Sequence, residues 1–316
     1  MNMRKHVVLL VGGVGGAKLA LGLSHILPAD ALTIIVNTAD DFEHLGLYVS
    51  PDLDTVMYTL AGLANPQTGW GIAGDSFQAL EMVERYGGPA WFRLGDRDLA
   101  TSLMRTCLLH EGRSLTETTQ YLCARLGLSH PILPMSDQPV RTQLETDQGT
   151  LAFQEYFVHQ RWQPVVKAIH FEGSDEARPT QLVSSALEQA TLIIFGPSNP
   201  FLSIDPILAV PGIRDLIAQA GAPCVAVSPI IGGQAVKGPA AKLMTELGFD
   251  VSPLGIAKYY RDLLSGIILD VADQHLCEQI EALGIRCTAQ YILMESLSDK
   301  INLAKSLLDW IEGNLL

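Results

Sequence analysis

Two stretches of this chain carry residues whose types and spacing suit phosphate chemistry. The first is Val11-Gly12-Gly13-Val14-Gly15-Gly16-Ala17-Lys18, where an apolar run gives way to a helical pattern. Glycines let a backbone come close to a phosphate, and a helix N-terminus favours an anion. The loop is not the dinucleotide GxGxxG, because Lys18 stands where its third glycine would be. Leu19 after Lys18 also departs from a Walker A loop. Gly12, Gly13, Gly15, Gly16 and Lys18 are expected to cradle a phosphate, against the plainer reading of a tight strand-to-helix turn.

The second stretch is acidic. Asn37-Thr38-Ala39-Asp40-Asp41 is followed by Ser50-Pro51-Asp52-Leu53-Asp54-Thr55, so four aspartates fall within fifteen positions. Beside a phosphate site they suit a hard divalent cation such as Mg²⁺, which is held by one or two carboxylates together with substrate phosphates. Asp40 and Asp54 are the expected metal ligands. Asp52 reads equally as a ligand or as the cap of the following helix, and Asp40 and Asp41 also suit a turn. His44, the histidine near this loop, reads as structural rather than as a base.

Other polar positions follow apolar, β-branched runs and so belong at strand ends. They are Gly196-Pro197-Ser198-Asn199-Pro200 and Ser228-Pro229-Ile230-Ile231-Gly232-Gly233. Ser198, Asn199, Ser228 and Gly232 are expected to line a nucleotide site, although Pro and Asn also make turns unaided. Lys237 either meets a phosphate or stays solvated. Trp70 between Gly69 and Gly71, Asp96 in Gly95-Asp96-Arg97-Asp98, and Met135-Ser136 are candidates for contacting an acceptor. A glycine-flanked Trp is also a common packing anchor.

These residues need a scaffold that brings strand ends together. Residues 6–11 and 32–36 are short apolar runs separated by a helical pattern, a βαβ opening with parallel strands. A helix is expected from Asp54 to Leu63, ended near Gly62. Two more are expected over 95–128, the second opened by the capping box Ser114-Leu115-Thr116-Glu117. Residues 140–146 and 150–158 read as a hairpin turning at Asp147-Gln148-Gly149. The βα rhythm resumes with strands at 191–195, 224–228 and 266–270, and an amphipathic helix spans 299–313. The expected fold is a single α/β domain over 1–316. It is a Rossmann-like, mostly parallel sheet flanked by helices, with residues 90–165 inserted as a cap of helices and a β-hairpin. In such a sheet the strand-end loops open onto one crevice.

Composition narrows the partners. The net charge of −13 argues against extended nucleic-acid binding. It also means that an anion site must rely on backbone N–H groups, chosen lysines or a metal. The five cysteines include no CxxC, which predicts a reduced, cytoplasmic protein. The basic start, residues 1–5, is followed by an apolar run too short for a signal peptide, and no run is long enough to span a membrane. A charged fraction of only 17% favours a homo-oligomer, with a homodimer the expected form.

Taken in order, residues 12–18, 37–41, 51–58, 69–71, 94–98, 133–136, 153–158, 196–200 and 227–233 resemble the 2-phospho-L-lactate transferase family of coenzyme F420 biosynthesis. The similarity runs from the first strand to about Lys242 and weakens towards the C-terminus, with no clear departure in the core motifs. The resemblance implies a Mg²⁺-using enzyme with a Rossmann-like core and a cap, usually dimeric. It would transfer a phospho-carboxylate group from a guanosine diphosphate-linked donor to the deazaflavin Fo, releasing GMP. Asp40 and Asp54 are the metal positions by similarity. The Fo hydroxyl would lose its proton to Asp41 or Asp96, and Trp70, Asp96, Met135 and Ser136 would line the Fo slot. Two other readings stand beside it. The gluconeogenesis factor family of nucleotide-sugar-binding regulators shares the glycine loop and an acidic pair, but continues differently after that pair. An NAD-dependent oxidoreductase is disfavoured by the missing third glycine.

Overall fold

In a computed structural model, which describes residues 6–316, the apolar runs become the strands of one sheet. The basic stretch 1–5 lies outside the described residues. β1 (Val7–Val11) runs into α1 (Gly13–Ser24), and β2 (Leu32–Val36) follows. A short hairpin, β3 (Phe42–His44) and β4 (Leu47–Val49), leads to α2 (Pro51–Leu60), α3 (Gln78–Arg85), α4 (Asp96–His110) and α5 (Leu115–Arg125). Then come β5 (Ile132–Pro134), β6 (Arg141–Thr146), β7 (Gly149–Ala152) and β8 (Val166–Glu172). The remainder alternates through α6 (Gln181–Glu188), β9 (Leu192–Phe195), α7 (Asp205–Ala209), α8 (Ile213–Gln219), β10 (Cys224–Val227), β11 (Ile230–Ile231), β12 (Gln234–Ala235), α9 (Ala240–Glu246), α10 (Pro253–Tyr259), β13 (Gly266–Asp270), α11 (Cys277–Glu281), β14 (Arg286–Gln290) and α12 (Leu297–Asn314).

Seven of these strands form a parallel sheet in the order β14-β13-β10-β9-β1-β2-β5. The chain order reverses between β1 and β9, the topological switch point of a Rossmann-like sheet. Because every strand runs the same way, the loops after β1, β2, β5, β9, β10, β13 and β14 all emerge at one edge. Both faces are covered, which is why β1 is apolar throughout. Val7, Leu9 and Val11 pack with Leu19, Met57, Leu303 and Leu307 beneath α1, α2 and α12. Val8 and Leu10 face the opposite layer, with Leu187, Ile207 and Leu243.

The expected helices over 95–128 are α4 and α5, and the Ser114–Glu117 capping box is formed. α2 begins earlier than Asp54, at Pro51, a residue suited to the first helical position. Two expectations need correction. The hairpin's second strand stops at Ala152, and Glu155–His159 forms a π turn. Phe153, Tyr156 and Phe157 recur at helical spacing, and Phe153 stacks on Phe157 at 5.1 Å between ring centroids. Within the 90–165 stretch, β5 belongs to the parallel sheet, at its edge beside β2. β6 sits between β7 and β8 in an antiparallel sheet whose third strand lies beyond residue 165. Among the described residues, no helix is long and apolar enough to cross a membrane.

α1 and α12 approach backbone to backbone at Gly22, where a Cβ would lie 2.1 Å from the Lys300 carbonyl oxygen. Gly22→Ala is expected to lower unfolding free energy in urea by about 1–3 kcal/mol, because a helix backbone must move. Gly313→Ala, on α12 with open space at its Cβ, is expected to cost nothing and to add up to about 1 kcal/mol. Equal stability of Gly22→Ala and wild type would contradict this packing.

Candidate active site

The glycine turn is built against its own neighbours. A Cβ on Gly12 would lie 2.5 Å from Asp52 Oδ2, one on Gly15 2.2 Å from the Pro197 carbonyl oxygen, and one on Gly16 2.7 Å from Ser198 Oγ. Gly13 adopts φ +61°, in the left-handed region. Ser198 Oγ donates to the Gly12 carbonyl (2.8 Å) and accepts from the Gly12 N–H (3.2 Å), clamping the loop after β9 to the loop after β1. These glycines are required by the fold itself at the switch point. The first turn of α1 still presents its N-terminus there.

Asp52 is the hub of the acidic segment. Its Oδ1 accepts the Gly13 N–H (2.8 Å) and its Oδ2 accepts Asn37 Nδ2 (3.0 Å). Asn37 Nδ2 also reaches the Leu202 carbonyl (3.2 Å), so the loops after β1, β2 and β9 meet through one amide and one carboxylate. Burial pushes Asp52 up to about 6, opposed by the bonds from Asn37 and Gly13. Asp40 lies alongside, held well above the usual carboxylate range by burial, by Asp52 and by Asp41. The Thr142 hydroxyl donates to Asp40 Oδ1 at 3.4 Å. Asp41 is pushed to about 7, again first by burial. Ser50 Oγ donates to one of its oxygens (2.9 Å), and the other has no hydrogen-bond partner among the described residues.

Asp54, expected beside Asp40 on a metal, is used differently. Both of its oxygens receive the guanidinium of the fully buried Arg105 on α4, with Nη1 at 3.1 Å and Nη2 in closer contact. The carboxylate that the fold places next to Asp40 is Asp52. Among the described residues, no group of three or more His, Cys, Asp or Glu side chains forms a ligand set by itself.

Lysines gather on the other side of the glycine turn. Lys18 Nζ donates to the Met294 carbonyl (2.7 Å), and Lys300 Nζ to the carbonyls of Glu295 (3.3 Å) and Ser296 (3.2 Å). Lys237 Nζ is held by the Thr68 carbonyl. Lys237 and Lys300 are both lowered, by burial first and by Lys18 second. A Cβ on Gly69 would lie 2.5 Å from Val14 and 3.4 Å from Lys237 Nζ, so the loop carrying Trp70 rests on the glycine turn beside these lysines. Lys300 carried no signal in the sequence, since its neighbours come from a different part of the chain.

Several expected site residues have structural duties. Asn199 accepts from the N–H groups of Phe201 (3.0 Å) and Leu202 (3.2 Å), capping the next turn. Ser228 bonds to Ile230, and the Gly232 N–H donates to Asp273 Oδ2 (2.8 Å). Met135 and Ser136 are fully buried, and the Ser136 hydroxyl donates to the Arg178 carbonyl (2.8 Å). Asp96 accepts from Ser76 Oγ (2.6 Å) and the N–H groups of Gln78 and Ala79, bonds that lower its pKa and cap α3. Three donors on an exposed, acidified carboxylate make a poor base.

An aromatic group that the sequence did not reveal stands beside Asp41. Phe42 and Phe92 meet edge to face at 4.8 Å, and His44 and Trp91 at 5.5 Å. His44 is buried, its Nε2 has no hydrogen-bond partner among the described residues, and burial lowers its pKa. Its ring partners, Trp91 and Phe92, lie 47 and 48 positions away, in a stretch without secondary structure, and no local pattern announces that meeting.

Comparison with known proteins gives a consistent set of likenesses. The family described as 2-phospho-L-lactate transferase CofD matches residues 7–292. A phosphoenolpyruvate transferase of Streptomyces griseus is 43% identical over 312 residues, covering 97% of this chain and 98% of its own. A 2-phospho-L-lactate transferase of Methanococcoides burtonii is 40% identical over 301 residues, covering 95% of this chain and 98% of its own. A solved UPF0052-family protein of Bacillus halodurans shares the fold, with a TM-score of 0.62 over 96% of this chain and 99% of that one at 16% identity.

The Arg105–Asp54 pair generates a stability test. Arg105→Met leaves Asp54 buried without its counter-charge and is expected to cost about 3–5 kcal/mol. Arg105→Met combined with Asp54→Leu is expected to recover most of that, since apolar replacements of both partners remove the uncompensated charge. Urea unfolding of the three proteins measures both effects. A single variant as stable as wild type would show that the pair does not hold α4 against α2.

Proposed function

The chain belongs to the 2-phospho-L-lactate transferase family and is a transferase, and we propose that it moves a phospho-carboxylate group from a guanosine diphosphate-linked donor to the ribityl hydroxyl of Fo, releasing GMP. The observation that carries this reading is the Asp40–Asp52 carboxylate pair at the switch point, with the glycine turn against it and three lysines beyond. In a chain of net charge −13, such an arrangement suits a diphosphate bridged to carboxylates by a cation.

The residues fit Mg²⁺. Asp40 and Asp52 are adjacent, oxygen-only donors raised by burial, and Asp40 is further raised by Asp52 itself, a repulsion that a divalent cation would relieve. Two protein carboxylates with remaining positions filled by phosphates and water is a common Mg²⁺ arrangement. When bound, Mg²⁺ would neutralise charge on the diphosphate. Asp54 is committed to Arg105 and instead braces α2.

The chain's own groups then have distinct tasks. The first turn of α1, with Lys18, Lys237 and Lys300, holds the diphosphate so that the distal phosphorus faces the acceptor. The Fo hydroxyl forms an O–P bond there while the bridging P–O bond to GMP breaks. Of the two carboxylates expected as base, Asp96 caps α3, whereas Asp41 has an oxygen without a hydrogen bond among the described residues and takes the hydroxyl proton in this reading. The flat ring of Fo is taken by the half-buried rings of Phe42, Trp91 and Phe92, which the buried His44 backs from within. His44 lies four residues from Asp40, about 13 Å of extended chain at most, within the reach of a ring with a ribityl tail. Met135 and Ser136, being buried, are left out of that slot.

Purified protein supplied with Fo and, in separate reactions, GDP-linked phospholactate, phosphoenolpyruvate or phosphoglycerate is expected to yield a phospho-carboxylated Fo and GMP by mass spectrometry. Chelator is expected to abolish turnover and Mg²⁺ to restore it. Asp52→Asn is expected to lose about 100-fold or more in kcat. Trp91→Ala is expected to raise the KM for Fo about tenfold and leave that of the donor unchanged. Full activity in metal-free protein, or no product with any donor, would overturn the reading.

A further inference from the structure

Away from this site, two half-buried thiols lie almost in bonding contact. Cys277 opens α11 and Cys287 lies in β14, the outermost strand of the parallel sheet, and their sulfurs are 2.7 Å apart. That separation is inside van der Waals contact, against about 2.05 Å for a disulfide bond. The pair borders a surface cavity of about 480 Å³ shared with Gln274, His275, Glu278 and Thr288, so small solutes reach it. Cys123 and Cys224 are buried, and Cys107 is exposed on α4. With no CxxC in the sequence, this pairing arises only from the packing of α11 on β14.

We propose that Cys277 and Cys287 are a redox-active dithiol that closes to an intramolecular disulfide by exchange with a low-molecular-weight disulfide of the glutathione type. In the first step the Cys277 thiolate attacks one sulfur of the small disulfide. A Cys277–S–S–R bond forms, the R–S–S–R bond breaks, and one RS⁻ leaves and takes a proton. In the second step Cys287 loses its proton and attacks Cys277 Sγ, the mixed bond breaks, and the second RS⁻ leaves as RSH. The two cysteines are oxidised by two electrons in total, and the small disulfide is reduced to two thiols. Burial pushes the Cys287 thiol up, and the contact between the two sulfurs lets whichever thiol is left resolve the mixed disulfide formed on the other.

The bond would act on more than the sheet edge. The turn before Cys277 starts from Asp270, whose Oδ2 accepts the Ile292 N–H (3.2 Å), and contains Asp273, which accepts the Gly232 N–H. Cross-linking α11 to β14 therefore fixes a segment on which the loops after β10 and β14 rest. Closing a loop this short constrains the unfolded chain and is expected to raise the melting temperature by about 5 °C.

The test uses the full chain in buffers of graded oxidised-to-reduced glutathione, read by intact mass, peptide mapping and thermal melting. The proposal expects the loss of two hydrogens, a Cys277–Cys287 linked peptide, and a rise in melting temperature that dithiothreitol reverses. Cys287→Ser is expected to stop at a glutathione adduct on Cys277. The proposal is overturned if both thiols of the wild type remain alkylatable in fully oxidised glutathione. It is equally overturned if stable adducts accumulate on the wild type without a cross-link. None of these readouts depends on the transferase reading.

Discussion

The hydrogen bonds from the Gly13 amide and from Asn37 to the Asp52 carboxylate are the constraint on which the site depends. They join the turn after β1, the end of β2 and the start of α2, and through Asn37 they reach the turn after β9. With that junction made, Gly12 must lack a side chain, because Asp52 and Ser203 occupy the space. Ser198 must then stay small enough to clamp Gly12 from the other side. The glycine loop is thus a consequence of bringing a carboxylate to a helix N-terminus at a switch point. The same contact leaves Asp52 close to Asp40, whose carboxyl, already raised by burial, it raises further.

Charge is distributed around this junction in layers. Behind it, Arg105 neutralises Asp54, allowing α4 to pack against α2, and Arg141 and Arg105 partly offset the burial that raises Asp41. In front of it, Lys18, Lys237 and Lys300 are tethered by backbone carbonyls, and none forms a salt bridge among the described residues. Acidic and basic groups that paired directly would give a closed structural cluster. Held apart by the glycine turn, they instead suit a ligand that carries negative charge towards the lysines and shares a cation with the acids.

Much of the fold was legible because its signals are local. The βαβ opening, the Ser114 capping box and the strands at 192–195, 224–227 and 266–270 each announce themselves within a few residues. β14 was missed because an edge strand reading Arg-Cys-Thr-Ala-Gln lacks the apolar run of a doubly covered strand. The choice between Asp52 and Asp54 was illegible for a geometric reason. Residues two apart on a helix point about 200° from each other, so only one of them can face Asp40. Which one does so is decided by the rotation of α2, and Arg105, fifty-one positions from Asp54, takes the other. Ser198, Asn199 and Ser228 were placed correctly at strand ends, yet their side chains satisfy local backbone groups, as small polar residues in turns commonly do. The Phe42, His44, Trp91 and Phe92 group and Lys300 depend on long-range packing, which no spacing in the chain encodes.

The central claim is that Asp40 and Asp52 together hold a divalent cation against the nucleotide diphosphate. It is tested most directly by crystals grown with Mn²⁺ and GDP, with data collected at the manganese absorption edge. The account predicts one anomalous peak within bonding distance of both Asp40 and Asp52 and in contact with the diphosphate, while Asp54 remains on Arg105. A peak on Asp54 with Arg105 displaced, or GDP bound at the glycine turn with no metal near Asp40 and Asp52, would contradict it.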